Sequence, residues 1–153
     1  MMNYSGAANG NSVKSVFLVD DDLDDQDFFA EALSELNYRI RLKLFQSGSG
    51  LMKRLHSAQE LPDIVFLDLH MPMMDGEDCL KAIRSEEKFE TLPIIVYSTI
   101  FDLPKIESLF DMGANRYLQK PLSYRALVAS LKRAIESVES NPMGSTAVIN
   151  YTD

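Results

Sequence analysis

Between residues 14 and 138 the chain alternates short runs of continuous apolar residues with longer stretches whose apolar positions recur every three or four residues. The first kind of run reads as buried strand and the second as amphipathic helix. A strand is expected over 16–20, then a helix over 23–37 with Phe28, Phe29, Ala32, Leu33 and Leu36 on one face. Residues 40–45 alternate, with Arg41 and Lys43 turned out, as in a half-exposed edge strand. A second helix is expected over 48–58. Residues 64–67, IVFL, are β-branched, aromatic and unbroken, which suits a strand covered on both faces. A third helix over 77–85 precedes an apolar strand at 93–97. Asp102 can cap a fourth helix, with Pro104 in its first turn and Gly113 ending it after Met112. A short strand follows at 115–119. Ser123 caps the last helix, whose face is Leu127, Leu131, Ala134, Ile135 and Val138.

Five strands and five helices in strict alternation predict an α/β fold, a doubly wound (βα)5 arrangement. Its five-stranded parallel sheet has helices on both faces and right-handed crossovers. Residues 1–13 and 139–153 are small and polar, so a flexible arm and a flexible tail are expected around one domain at 14–138.

Composition narrows the class. The 153 residues are 46% hydrophobic and 25% charged, which is ordinary for one globular domain. Cys79 has no second cysteine to pair with, and neither His56 nor His70 sits at zinc-ligand spacing. No apolar run approaches the ~20 residues that span a bilayer. The opening MMNYSGAANGNSVK lacks the shape of a secretory signal, so the expected setting is cytoplasmic, without membrane contact. A net charge of −8 disfavours nucleic acid as a partner.

The acids matter more for where they fall. In an open parallel sheet the site lies beyond the carboxyl ends of the strands. Those ends carry Asp20-Asp21-Asp22, Asp68, Ser98-Thr99 and Lys120-Pro121. Clustered carboxylates repel one another, and that arrangement predicts a hard divalent ion such as Mg2+. Mg2+ keeps positions open for water or phosphate oxygens, while Ser98 and Lys120 suit the remaining charge of a phosphoryl group. Asp68, an acid at the end of an apolar strand, then makes sense as a metal-paired nucleophile. Asp22, Asp24 and Asp25 read as solvated residues that favour the start of the first helix. A calcium loop on Asp20, Asp22, Asp24 and Glu31 fails, because Asp25 stands where that loop needs glycine and a strand precedes it.

The segments VFLVDDD, IVFLDLHMPMMDG, PIIVYST and GANRYLQKP occur in that order, and over roughly residues 14–138 the chain resembles a bacterial response-regulator receiver domain of the CheY-like kind. The run DDLDDQDFF and the YST after the fourth strand further resemble stand-alone Rcp-like receivers, which lack an output domain. The resemblance implies a single-domain response regulator in a two-component phosphorelay, and no turnover of external substrates. It implies that Asp68 accepts a phosphoryl group from a sensor histidine kinase or histidine phosphotransfer protein. It further implies Mg2+ held by Asp20, Asp21, Asp68 and the backbone carbonyl of His70. Ser98 and Lys120 would meet the phosphoryl oxygens, and Tyr117 would switch between exposed and buried positions together with Ser98. Gly76 would permit a tight turn into the third helix. The face made by the fourth helix, fifth strand and fifth helix would be read by partners, a homodimer among them. Two other readings stay open on residues: a haloacid-dehalogenase-type phosphatase using Asp20 and Asp22, and a docking module that works without phosphate. Against the phosphatase, Leu23 replaces the expected Thr or Val and no acidic pair follows Lys120.

Overall fold

The computed structural model describes residues 12–144 and 147–150, so the expected N-terminal arm lies outside the described residues except for Ser12 and Val13. The strands are β1 (Ser15–Val19), β2 (Arg41–Phe45), β3 (Ile64–Asp68), β4 (Ile94–Ser98), β5 (Arg116–Gln119) and β6 (Ala147–Ile149). The helices are α1 (Leu23–Ser34), α2 (Gly48–Ser57), α3 (Gly76–Arg84), α4 (Leu103–Asp111) and α5 (Tyr124–Ser140), with a 3-10 turn at Glu87–Phe89. The strands form one sheet in the order β2-β1-β3-β4-β5-β6, and every neighbouring pair is parallel.

Strand side chains alternate between faces, and that alternation divides the apolar runs into two cores. Phe17, Val19, Val65, Leu67 and Val96 pack with Leu51, Leu80 and Leu109 beneath α2, α3 and α4. Val16, Leu18, Ile64, Phe66 and Ile95 pack with Phe29, Leu33, Leu131 and Ile135 beneath α1 and α5. An unbroken apolar run is therefore needed in each central strand, because both of its faces are covered. At the edge strand β2 the rule relaxes: Arg41 and Lys43 are exposed, and Leu44 is partly so.

Three expectations need correction. Phe28 does not join the buried face of α1; it is 55% exposed. Phe29, Ala32, Leu33 and Leu36 already form the buried stripe, and Phe28 is rotated one helical step away from it. Asp102 occupies the N-cap position of α4 but its side chain makes no capping hydrogen bond there. The sheet has six strands, not five. The sixth falls inside the expected C-terminal tail, where three apolar residues are too few to show a period.

Arg116 explains how that sixth strand is held. It lies in β5 and is only 2% exposed, a costly place for a guanidinium without partners. The guanidinium donates to the Ser137 hydroxyl at 2.7 Å, to the Ser137 carbonyl at 3.2 Å, to the Asn141 carbonyl at 2.6 Å and to the Pro142 carbonyl at 3.1 Å. These acceptors include the C-cap carbonyl of Asn141, which has no partner within α5. Asn115 adds a bond to the Met143 carbonyl at 3.2 Å, and Arg133 donates to the Asn150 carbonyl at 2.6 Å. The chain is thus reeled around the end of α5 and back alongside β5, where Ile149 is buried against the α1/α5 core.

Replacing Arg116 with Leu strands that set of carbonyl acceptors, and the expected loss of stability in urea denaturation is about 2–4 kcal/mol. Amide hydrogens of residues 147–149 should exchange faster in the same variant. Unchanged stability and unchanged exchange would remove Arg116 as the anchor of β6.

Candidate functional site

Parallel pairing puts the ends of β1, β3, β4 and β5 at one edge of the sheet. Asp20 follows β1 directly, and its backbone N–H donates to the Phe45 carbonyl at 3.0 Å. The Gln26 side-chain amide donates to the Asp20 carbonyl at 2.8 Å and to the Phe45 carbonyl at 3.1 Å. The turn after β1 is therefore tied to the edge strand from within α1. One oxygen of Asp20 accepts the Asp22 N–H at 3.0 Å, and Asp22 in turn caps α1 by accepting from the N–H groups of Asp24 and Asp25. Asp21 is left between them, exposed.

Asp68 is the last residue of β3 and pairs across with Tyr97. The His70 N–H faces it, donating to an Asp68 oxygen at 3.4 Å, while the His70 side chain is exposed. The first turn of α3 passes directly over this strand end. A Cβ on Gly76 would stand 2.4 Å from the Asp68 carbonyl oxygen and 2.8 Å from the Leu69 Cα. Glycine is required here because two backbones meet, which is a different reason from the tight turn expected from the sequence. Asp75 caps α3 in a reciprocal capping box with Asp78.

Oxygen atoms of Asp20, Asp21 and Asp68 all lie within 4.8 Å of one another. Asp20 is fully buried and Asp68 nearly so. Lys120, just past β5, is the cation that faces them. Its ammonium is 2.9 Å from Asp20, 3.7 Å from Asp68 and 2.8 Å from Asp25, and it rests over the Tyr97 ring at 4.9 Å from the centroid. Burial works against the charge on Lys120, but the hydrogen bonds to Asp25 and Asp20 outweigh it and raise its pKa. Burial pushes the Asp68 carboxyl up to about 7; Lys120 opposes that rise, and the neighbouring Asp20 adds to it. A set of three acids with a single ammonium suits one hard divalent cation, and Asp20, Asp21 and Asp68 are the side chains positioned to hold it.

Ser98 ends β4, is buried, and its hydroxyl accepts the Ile100 N–H at 3.3 Å. Tyr117 lies inward from β5, 1% exposed, with its hydroxyl donating to the Ile100 carbonyl. Both side chains therefore meet the same loop after β4. The Lys120 N–H donates to the Ser98 carbonyl at 2.7 Å and keeps the two strand ends together.

Every side chain expected at the site reaches this edge or the core behind it. Sequence reasoning missed Asp25 and Gln26. Asp25 was expected to be merely solvated, yet it grips Lys120. The available signal was an excess of acids in the first turn of α1, facing a lone lysine from another strand end. One Asp22 oxygen accepts two backbone N–H groups of α1, so Asp22 acts here as a helix cap.

The sequence matches the family model of the response regulator receiver domain over residues 16–132. The DNA-binding transcriptional regulator NtrC of Proteus hauseri is 33% identical over 121 residues, covering 79% of this chain and 24% of that protein. The chain thus spans about a quarter of that regulator's length. Among solved structures, the phosphorylated cyanobacterial phytochrome response regulator RcpA is similar with a TM-score of 0.74 and 26% identity, over 86% of this chain and 96% of that one. The Mn(2+)-bound form of response regulator Rcp1 has a TM-score of 0.70 and 22% identity, over 85% and 94% of the two chains, and speaks to the fold alone.

The raised pKa of Asp68 has a sign that can be tested. Unfolded, the carboxyl ionises near its usual 3.8; folded and metal-free, it holds its proton up to about 7. Stability therefore falls as pH rises between those two values and levels off above them. Asp68→Asn removes the penalty, so at pH 8 without divalent cation it should be more stable than wild type by about 1–3 kcal/mol. Near pH 3.5 the two proteins should melt alike. A variant less stable at pH 8 would contradict the assignment.

Proposed function

This chain belongs to the response regulator receiver domain family, and from that membership we propose that Asp68 is the residue that accepts its phosphoryl group. Receiver domains of response regulators serve two-component signalling as phosphoacceptors, not as enzymes that turn over external substrates. The observation that carries the assignment is the meeting of Asp20, Asp21 and Asp68 oxygens within 4.8 Å, at the edge that also holds Ser98 and Lys120.

The donor is a phosphohistidine on a sensor histidine kinase or a histidine phosphotransfer protein. An Asp68 oxygen attacks phosphorus, a P–O bond forms, and the P–N bond breaks with its electron pair leaving on the imidazole. Asp20, Asp21, Asp68 and the His70 backbone carbonyl would hold Mg2+, which when bound supplies positive charge to the phosphoryl oxygens. Lys120 approaches the new negative charge from the β5 side, and Ser98 offers its hydroxyl from β4. The Ser98 hydroxyl would give up the Ile100 N–H to do so, which disturbs the loop that also binds the Tyr117 hydroxyl. Site chemistry is thereby coupled to the surface of α4, β5 and α5.

That surface is the proposed meeting place for a downstream partner or a second copy of the chain. Because β6 lies along β5, its outer edge would form part of any such interface. The acidity of the chain argues against nucleic acid as a direct partner. Among the described residues no helix is long and apolar enough to cross a membrane, which fits a cytoplasmic setting. The docking reading without phosphate has no observation in its favour.

The direct test is intact mass after incubation with acetyl phosphate. Wild type should gain one phosphoryl group in Mg2+ and none with a chelator, and Asp68→Ala should gain none in either. Labelling that persists in Asp68→Ala and is lost in Asp20→Ala would restore the phosphatase reading. No adduct in wild type, together with no beryllofluoride binding in Mg2+, would leave the phosphate-independent module.

A further inference from the structure

The Lys120 ammonium has three carboxylates around it at unequal distances. Asp25 at 2.8 Å and Asp20 at 2.9 Å are hydrogen-bonded, whereas Asp68 at 3.7 Å is beyond bonding reach. The cation is therefore held on the α1 side of the site, away from the residue it would serve. To meet a phosphoryl group on Asp68 it must leave one of the two bonds.

The two are not equally easy to leave. Asp20 is fully buried and belongs to the carboxylate set suited to a cation, so its charge cannot be abandoned to solvent. Asp25 has 37% of its side chain exposed, and water can replace Lys120 there at small cost. Its position is nonetheless fixed. Its own N–H is bound by the Asp22 cap, and the next residue, Gln26, anchors α1 to the carbonyls of Asp20 and Phe45. A half-exposed acid on a locked turn is a grip that can let go.

We propose that Asp25 is a positioning residue for Lys120, holding the ammonium back from Asp68 until a phosphoryl group on Asp68 competes it away. This rests on the assignment of Asp68 as phosphoacceptor and goes beyond it, because it gives the resting state its own stabilising contact. Loss of the Asp25 charge should free Lys120 and favour the phosphorylated form.

The test uses the full chain, saturating Mg2+ and beryllofluoride as the phosphoryl mimic, with affinity measured by calorimetry. Asp25→Asn is isosteric, and a thermal melt checks that it folds. It should bind the mimic about three- to tenfold more tightly than wild type, the range open to a half-exposed charged hydrogen bond. Asp25→Glu, which keeps the carboxylate, should bind within about twofold of wild type, a difference of the size expected when one ion-pair geometry replaces another. In a Lys120→Met background the Asp25→Asn change should have no effect, because there is no ammonium left to restrain. Equal or weaker binding by Asp25→Asn overturns the proposal. So does an equal tightening in the Lys120→Met background, which would make Asp25 a general source of repulsion and no grip on Lys120. A wild type that binds no beryllofluoride in Mg2+ defeats the phosphoacceptor assignment itself, and the proposal falls with it.

Discussion

The constraint on which this molecule turns is charge balance at the carboxyl edge of its sheet. A fully buried carboxylate, a second one nearly buried and a third beside them cannot all stay ionised unless positive charge is close. The resting protein supplies one ammonium, from Lys120, which opposes but does not cancel the rise in the Asp68 pKa that burial and, to a lesser degree, Asp20 impose. That deficit suits the edge to a divalent cation. An edge already neutral would have little use for a divalent cation and little response to a new phosphoryl group. Because it is short of positive charge, small changes in where Lys120 sits alter the energy of every acid in the cluster.

The scaffold exists to hold that imbalance in place. Two separate cores, divided by the alternation of strand side chains, clamp the sheet from both faces and fix the strand ends in register. Gly76 lets the first turn of α3 close over the end of β3 without displacing Asp68. Gln26 joins the turn after β1 to the outer strand by two hydrogen bonds from one amide. The site loops can be polar because their bases are tied to close-packed apolar structure.

Much of this was legible in the sequence, for physical reasons. Long apolar runs that end in Asp20, Asp68 and Ser98 give both the parallel sheet and the positions where its chemistry collects, because topology alone brings strand ends together. Helix positions followed from period, except where two neighbouring aromatics, Phe28 and Phe29, competed for one stripe. What escaped was whatever depends on contacts remote in sequence. Arg116 reads as an ordinary strand residue until its four hydrogen bonds to the end of α5 and the turn beyond it are seen. Asp25 looks like one more surface acid until Lys120, 95 residues away, is placed beside it. The strand at 147–149 is too short to announce itself, and the turn that leads toward it is fastened by that same Arg116.

The sixth strand also changes where the polypeptide goes. The α5 crossover carries the chain from the carboxyl edge of β5 back to the amino edge of the sheet; because α5 lies on the α1 face while β6 lies outside β5, its hand is opposite to that of the four crossovers before it. Because β6 runs parallel to β5, its three residues turn the chain back toward the carboxyl edge, and Asn150 lies on the edge that bears Asp68. The last described residue therefore shares an edge with the acids while standing three strands away from β3, so the same edge carries both the site and the close of the described chain.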